Sequence, residues 1–375
     1  MKPERLRILL SGMLAGVPDQ GGASWAVLQY LLGLRRLGHE VLFVEPVARG
    51  FSRARSTRYF ATLVERFGLQ RSAALVDPDT GSTFGVGRRR MREFAADADV
   101  LLNISGVLDD DELVGEIPVR TFVDLDPGFT QLWSAAEGID MGFDRHNRFV
   151  TIGGRIGSQA STVPTCGREW ITTLQPLVLS EWPVADCLEH DALTTVGHWR
   201  AYGSIEHSGV HYGQKAHSLR PLLGLPQSSG ARFRLALGIH PDEGRDLAAM
   251  RGQGWELVDP ATVAGSPDAY ADFVRGSWAE FALAKSGYAA SACGWFSDRS
   301  VCYLASGRPV LALDTGFGPD LPTGDGLIAF STLDEAVAGV EDLRARYPQH
   351  RRAAREIAEE RFDSDRVLSR LLSCL

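Results

Sequence analysis

The chain has 375 residues, 44% of them hydrophobic and 23% charged, with a formal net charge of −8. That length exceeds what one hydrophobic core usually serves, so two lobes are expected, and the composition is that of a globular rather than a disordered chain. The negative balance argues against a broad nucleic-acid face, although a local cationic cleft is compatible with it.

Lys2, Glu4, Arg5 and Arg7 surround the start of a short apolar run. It is too short for a signal-peptide core, and no later stretch of about 18 apolar residues follows, so a cytoplasmic protein without a transmembrane segment is expected. The five cysteines, Cys166, Cys187, Cys293, Cys302 and Cys374, are odd in number and lack metal-ligand spacing. They read as free thiols, and with no HExxH pattern no metal site is expected.

Residues 7–10 predict a buried strand, followed by a glycine-rich loop over 11–22. The next helix carries Val27, Leu28, Leu31 and Leu34 on one face and stops at Gly38. Further strands are predicted at 41–44, 74–76, 100–104 and 119–124. Strands alternating with helices imply a parallel sheet covered on both faces. From 151 to 191 the pattern weakens under Gly153, Gly154, Gly157, Pro164, Gly167, Pro176 and Pro183. A hinge and a packed irregular excursion both fit this segment.

The alternation then restarts. Strands are predicted at 193–197, 233–237, 255–258, 281–284, 309–313 and 327–330, with helices at 242–251, 299–306 and 334–347. The tail from 351 reads as helical, with Val367, Leu368, Leu371 and Leu372 forming a stripe behind an Asp363–Ser364 cap. The expected architecture is α/β: two doubly wound, Rossmann-like parallel-sheet domains facing across a cleft. The first spans 1–184 and the second 185–350, and helices over 351–375 pack back toward the first. Ligands of such sheets bind beyond the carboxyl ends of the strands.

The most informative stretch is 294–317, GWFSDRSVCYLASGRPVLALDTGF. Ser297 or Asp298 can cap a helix that Gly307 and Pro309 end, and the strand after it delivers Asp314, Thr315 and Gly316 into a loop. The helix start, with Ser297, Asp298, Arg299 and Ser300, offers free N–H groups to a diphosphate. Arg299 in the first turn opposes the helix dipole unless an anion sits there; its other reading is a salt bridge to a neighbouring carboxylate.

This stretch resembles the C-terminal lobe of GT-B glycosyltransferases that use sugar nucleotides. The resemblance is carried by YLASGRPVLALDTGF, extends through WAEFALAKSGY and HYGQKAHSL, and takes in GGASWAVLQYLLGLRRLGHEV near the start, roughly half the chain in order. It implies a glycosyltransferase that takes a nucleotide-sugar co-substrate with UDP, dTDP or GDP, has no tightly bound cofactor, and is independent of metal. The partners it implies are the donor and a small-molecule or glycan acceptor; the negative net charge is the ground for expecting no nucleic acid partner. Where the best-known retaining pattern has two glutamates eight positions apart, this chain has Gly294 and Cys302.

Other candidates follow from position. Gly21 and Gly22 precede a helix, where backbone approaches phosphate closely; a plain flexible turn is the alternative. Lys215 in HYGQKAHSL can neutralise a leaving diphosphate, with Lys285 a second candidate. Asp124 and Asp126 end a first-lobe strand, Asp19 lies in the first loop, and His146 beside Asp144 offers a base; each also reads as an ordinary loop residue. Trp199, next to His198, can stack on a base or sugar, or serve packing. Arg88–Arg90 with Arg92 reads as a solvated face. The rival functions are a sugar-nucleotide epimerase of the same fold, separated by incubating donor alone, and a non-catalytic two-lobed binder. A dehydrogenase ranks last, because no GxGxxG fingerprint appears.

Overall fold

The computed structural model describes residues 5–47 and 52–375; Lys2 and Glu4 lie outside them. The first sheet contains β1 (Arg7–Ser11), β2 (Glu40–Pro46), β3 (Ala73–Val76), β4 (Thr83–Gly85), β5 (Val100–Ile104), β6 (Val119–Asp124), β7 (Arg148–Thr151) and β8 (Trp170–Thr172). Their order is β4-β3-β2-β1-β5-β6-β7-β8. All neighbours are parallel except β3 and β4, which pair antiparallel at one edge. Continuous apolar runs make the central strands: every residue of β5 is buried, as expected where helices cover both faces.

The second lobe opens with β9 (His190–His198) and a small antiparallel hairpin, β10 (Ile205–His207) and β11 (Val210–Tyr212). It continues with β12 (Phe233–Gly238), β13 (Glu256–Leu257), β14 (Ser277–Ala282), β15 (Val310–Leu313) and β16 (Leu327–Phe330). The order β13-β12-β9-β14-β15-β16 is wholly parallel. In each sheet the first strand is flanked by later strands on both sides, so the winding reverses at β1/β5 and at β9/β14. Those two reversals are where such sheets hold ligands.

Several expectations change. The region of weakened pattern adds β7 and β8 to the first sheet, where Phe149 and Trp170 pack edge to face at 5.5 Å. The strand expected at 281–284 is β14, shifted toward the N-terminus and including Glu280. The helix expected at 334–347 ends at Ala345, and a second begins at Tyr347. The tail is interrupted at Asp363, whose carboxylate caps the Ser364–Ser373 helix. Tyr347–Ile357 packs on the second lobe against Asp298–Ala305, whereas Ser364–Ser373 packs on the first against Gly21–Arg36.

The chain therefore crosses between lobes twice, and the crossings bond to each other. Leu177 N–H donates to the Phe362 carbonyl (2.7 Å) and Ser364 N–H to the Leu177 carbonyl (2.8 Å). One apolar core runs from Ile8 and Leu28 in the first lobe to Val301 and Leu304 in the second. Trp182 sits between Trp25 (5.1 Å) and Tyr270 (6.1 Å), and Trp25 Nε1 donates to the Pro267 carbonyl (2.9 Å).

Gly21 and Gly22 belong to this junction. A side-chain carbon on Gly21 would lie 2.0 Å from the Ser266 carbonyl oxygen, and one on Gly22 2.9 Å from the Tyr270 ring. Their bare faces are filled by the second lobe, which corrects the phosphate-approach reading. Gly21→Val is expected to force the lobes apart, destabilising the protein by about 1–3 kcal/mol. A lowered melting temperature with an enlarged radius of gyration in solution scattering checks this.

Candidate active site

The groups that meet between the lobes come from the carboxyl ends of β6, β9 and β14 and from two helix starts. Lys285 follows β14, and its Nζ lies 2.8 and 3.0 Å from the two carboxylate oxygens of Asp126, which follows β6. The Tyr202 and Tyr288 hydroxyls donate to the same carboxylate. The ammonium also lies over the rings of Tyr202 (4.2 Å), Phe129 (4.8 Å) and Tyr288 (5.1 Å), a cation–π enclosure. Burial lowers the Lys285 pKa and Asp126 opposes that shift. Asp126 thus joins the first lobe to the second, and its oxygens are fully engaged.

Lys215 opens the Lys215–Leu219 helix and is only 8% exposed. Its side chain lies against Gly197 at the end of β9. Its ammonium has no hydrogen-bond or ion-pair partner among the described residues. Burial pushes its pKa down to about 7, Arg299 and Lys285 push the same way, and Asp126 and Asp298 oppose them. A largely buried cation without a partner is costly, which makes Lys215 a candidate for meeting an anion.

Arg299 is held from within. Its Nε donates to Glu280 Oε1 (2.5 Å) and its Nη1 to the Val196 carbonyl (2.9 Å). Glu280 has no exposed surface, so this is a buried ion pair against the central strands β9 and β14. Arg299 Nη2 is buried without a protein partner. The salt-bridge reading of Arg299 therefore holds, with Glu280 as the partner, and one donor stays unused.

The helix start at Ser297 is partly filled by its own residues. Ser297 Oγ accepts from the Arg299 N–H (3.2 Å), and the Asp298 carboxylate also turns toward the backbone of the first turn. Burial raises the Asp298 pKa, opposed by Arg299 and Lys215. Asp298 borders an apolar cavity of about 70 Å³ shared with Trp25, Tyr30, Gln175 and Cys302. The helix start therefore has fewer free N–H groups than expected, and of the expected diphosphate-binding groups Lys215 is the one whose charge has no hydrogen-bond partner among the described residues. Ser300 is buried beneath it.

Asp314, Thr315 and Gly316 form the support behind this start. Thr315 Oγ1 donates to the Trp295 carbonyl, the Thr315 carbonyl accepts from Gly294 N–H (2.8 Å), and Asp314 accepts from Gly316 N–H (2.8 Å). Their polar groups fix the segment 294–295 in place.

Four candidates fall away from the cleft chemistry. His146 is buried, with Nδ1 donating to the Gly142 carbonyl (2.7 Å) and Nε2 accepting from Asn103 (3.1 Å). Both nitrogens are occupied and burial lowers its pKa, so it is a neutral packing residue against Phe122. Trp199 is 1% exposed and its Nε1 donates to Asp246 (3.1 Å) in the second-lobe core; it presents no face to a ligand. Asp19, at φ +64°, pairs with Arg55 (2.7 Å) at the surface. Asp124 is likewise structural, accepting from Thr130, Gln131, Thr151 and the Asp126 N–H.

Sequence reasoning missed Tyr202, Tyr288 and Glu280. It also missed Glu45, fully buried at the end of β2, which accepts from the Ala15 N–H (2.9 Å) and Gly16 N–H (2.5 Å) and so clamps the first loop. Burial raises the Glu45 pKa to about 8 against those bonds. A glutamate inside the apolar run VLFVEP was the available signal. Among the described residues no group of three or more His, Cys, Asp or Glu is placed to hold a metal ion, and no helix is long and apolar enough to cross a membrane.

No family model and no curated protein matches this chain. Solved structures do, over nearly the whole length. AviGT4, a glycosyltransferase involved in avilamycin A biosynthesis, is 15% identical with a TM-score of 0.56, covering 98% of this chain and 96% of its own. An alpha-glucosyltransferase in complex with UDP and a 13-mer DNA is 12% identical with a TM-score of 0.65, covering 99% of both chains. Anabaena Alr3699/HepE in complex with UDP-glucose is 12% identical with a TM-score of 0.59, covering 99% and 100%. The chain has the GT-B fold. In this GT-B frame the cluster around Lys215 sits at the β9/β14 reversal of the second lobe, facing Asp126 of the first.

Proposed function

We propose that the protein transfers a sugar from a nucleotide-sugar donor to an acceptor, with UDP-glucose the first donor to test. The observation that carries this reading is the buried, unpartnered ammonium of Lys215 at the second-lobe reversal, flanked by Arg299 and Lys285. UDP is favoured over dTDP and GDP because UDP or UDP-glucose occupies several structures of the same fold. In the reaction the bond from the anomeric carbon to the diphosphate breaks as a bond to an acceptor oxygen forms. The departing diphosphate gains negative charge, and the acceptor loses its proton to solvent or a carboxylate. Lys215 meets that charge in a preorganised site, with the buried Arg299 guanidinium adding positive potential behind it. Asp126 positions Lys285 and carries the lobe-to-lobe contact that keeps water away from the donor.

The test is calorimetry with UDP and UDP-glucose at pH 8 in two buffers of different ionisation enthalpy. At that pH Lys215, with a pKa of about 7, is mostly neutral. A bound diphosphate raises the pKa, so binding takes up a fraction of a proton, and affinity falls as pH rises from 7 to 9. Absence of binding by every nucleoside diphosphate overturns the sugar-transfer reading. Binding without proton uptake removes Lys215 from the contact.

A further inference from the structure

A second cavity, of about 620 Å³, lies beside the crossings. Its lining mixes apolar side chains, Phe296, Phe317 and Leu371 among them, with polar groups that include Thr172 and Thr173 at the end of β8. Three arginines line one side: Arg361, Arg366 and Arg370, the last two one turn apart on Ser364–Ser373. Arg361 and Arg370 have no carboxylate partner among the described residues, and Arg366 donates only to the Glu360 carbonyl (2.9 Å). Most arginines elsewhere in this acidic chain are paired; Arg88, for example, binds both Asp110 and Glu112. Asp320 and Glu360 also border the cavity, leaving an excess of one positive charge. Gly294 and Phe296 in its wall lead directly to Ser297 at the edge of the site described above.

We propose that this cavity binds the anionic end of an amphipathic acceptor, a small molecule with an apolar body and a phosphate or carboxylate group. The word acceptor rests on the sugar-transfer reading; the anion site itself does not. Guanidinium groups recognise planar and tetrahedral oxyanions by paired N–H donors, and the apolar side chains take the remainder of the molecule. An extended nucleic acid strand does not suit a chain with a net charge of −8.

Cys374 supplies the readout, because it is exposed on the cavity wall, whereas Cys187 is exposed elsewhere. Iodoacetamide labelling of the full-length protein, without nucleotide, is followed by peptide mass spectrometry in the presence of n-octyl phosphate, octanoate or n-octanol. Octyl phosphate or octanoate is expected to slow Cys374 alkylation about fivefold at about four times its dissociation constant, with Cys187 unchanged. Whichever of the two anions protects better names the preferred group. Arg366→Glu with Arg370→Glu abolishes the protection, while melting temperature and UDP affinity stay as in the parent protein. The proposal is overturned if neither anion protects, if octanol protects equally, or if the charge-reversed protein keeps the protection. Protection in a protein that binds no nucleoside diphosphate sinks the sugar-transfer reading and leaves the anion site standing; UDP binding without protection does the reverse.

Discussion

Lys215→Met is expected to stabilise the protein while it weakens UDP binding about 10- to 100-fold, the range for losing a hydrogen-bonded charge. The two effects share one cause. Lys215 is buried beside Arg299 and Lys285 with no partner of its own, so the folded protein bears a cost that only an anion relieves. Methionine keeps the volume and removes the charge. A rise in melting temperature of about 2–4 °C at pH 7 corresponds to roughly 1 kcal/mol for a large domain.

The pH dependence fixes the sign. The folded-state pKa, about 7, lies below the ordinary value of 10.5. Between those values the unfolded chain holds a proton that the folded one releases, so this group's cost fades as pH rises. The advantage of the methionine variant is therefore greatest at or below pH 7 and shrinks toward pH 10. A variant that loses stability together with affinity would show that Lys215 serves the fold instead.

The second large effect concerns Glu280 and Arg299. Glu280→Ala leaves the Arg299 guanidinium buried against only the Val196 carbonyl, and the expected loss is about 3–5 kcal/mol. Arg299→Ala is equally damaging, because it strands a carboxylate with no exposed surface. Urea unfolding measures both, and Glu280→Leu with Arg299→Met should recover most of the loss. A fold indifferent to Glu280→Ala would mean that the pair is open to water.

What was legible in the sequence follows from the range of the forces involved. The strands at 100–104, 119–124 and 327–330 were expected at the bounds observed, because each is a short stretch dominated by apolar and β-branched residues between breakers. Lys215 stood out as a cation between a strand and a helix. The clasp of Asp126 and Lys285 joins residues 159 apart, and nothing local announces it. Trp199 and His146 lie near strand ends, but position along a strand does not say whether a side chain turns toward the cleft or into the core. Glu280 was overlooked because the reading began its strand at residue 281, four residues after Ser277, and so the partner of Arg299 was missed.

The Ser364–Ser373 helix has a consequence for how the molecule is made. It fills the face of Gly21–Arg36, where a carbon on Gly33 would meet Leu368 at 2.6 Å. The first lobe is thus discontinuous along the chain, and its last piece leaves the ribosome only after the whole second lobe. Domains usually mature in the order of synthesis, at about 5–20 residues per second. Here the nascent amino-terminal half waits on the order of tens of seconds with an uncovered apolar helix. The half made later is the first that can finish folding.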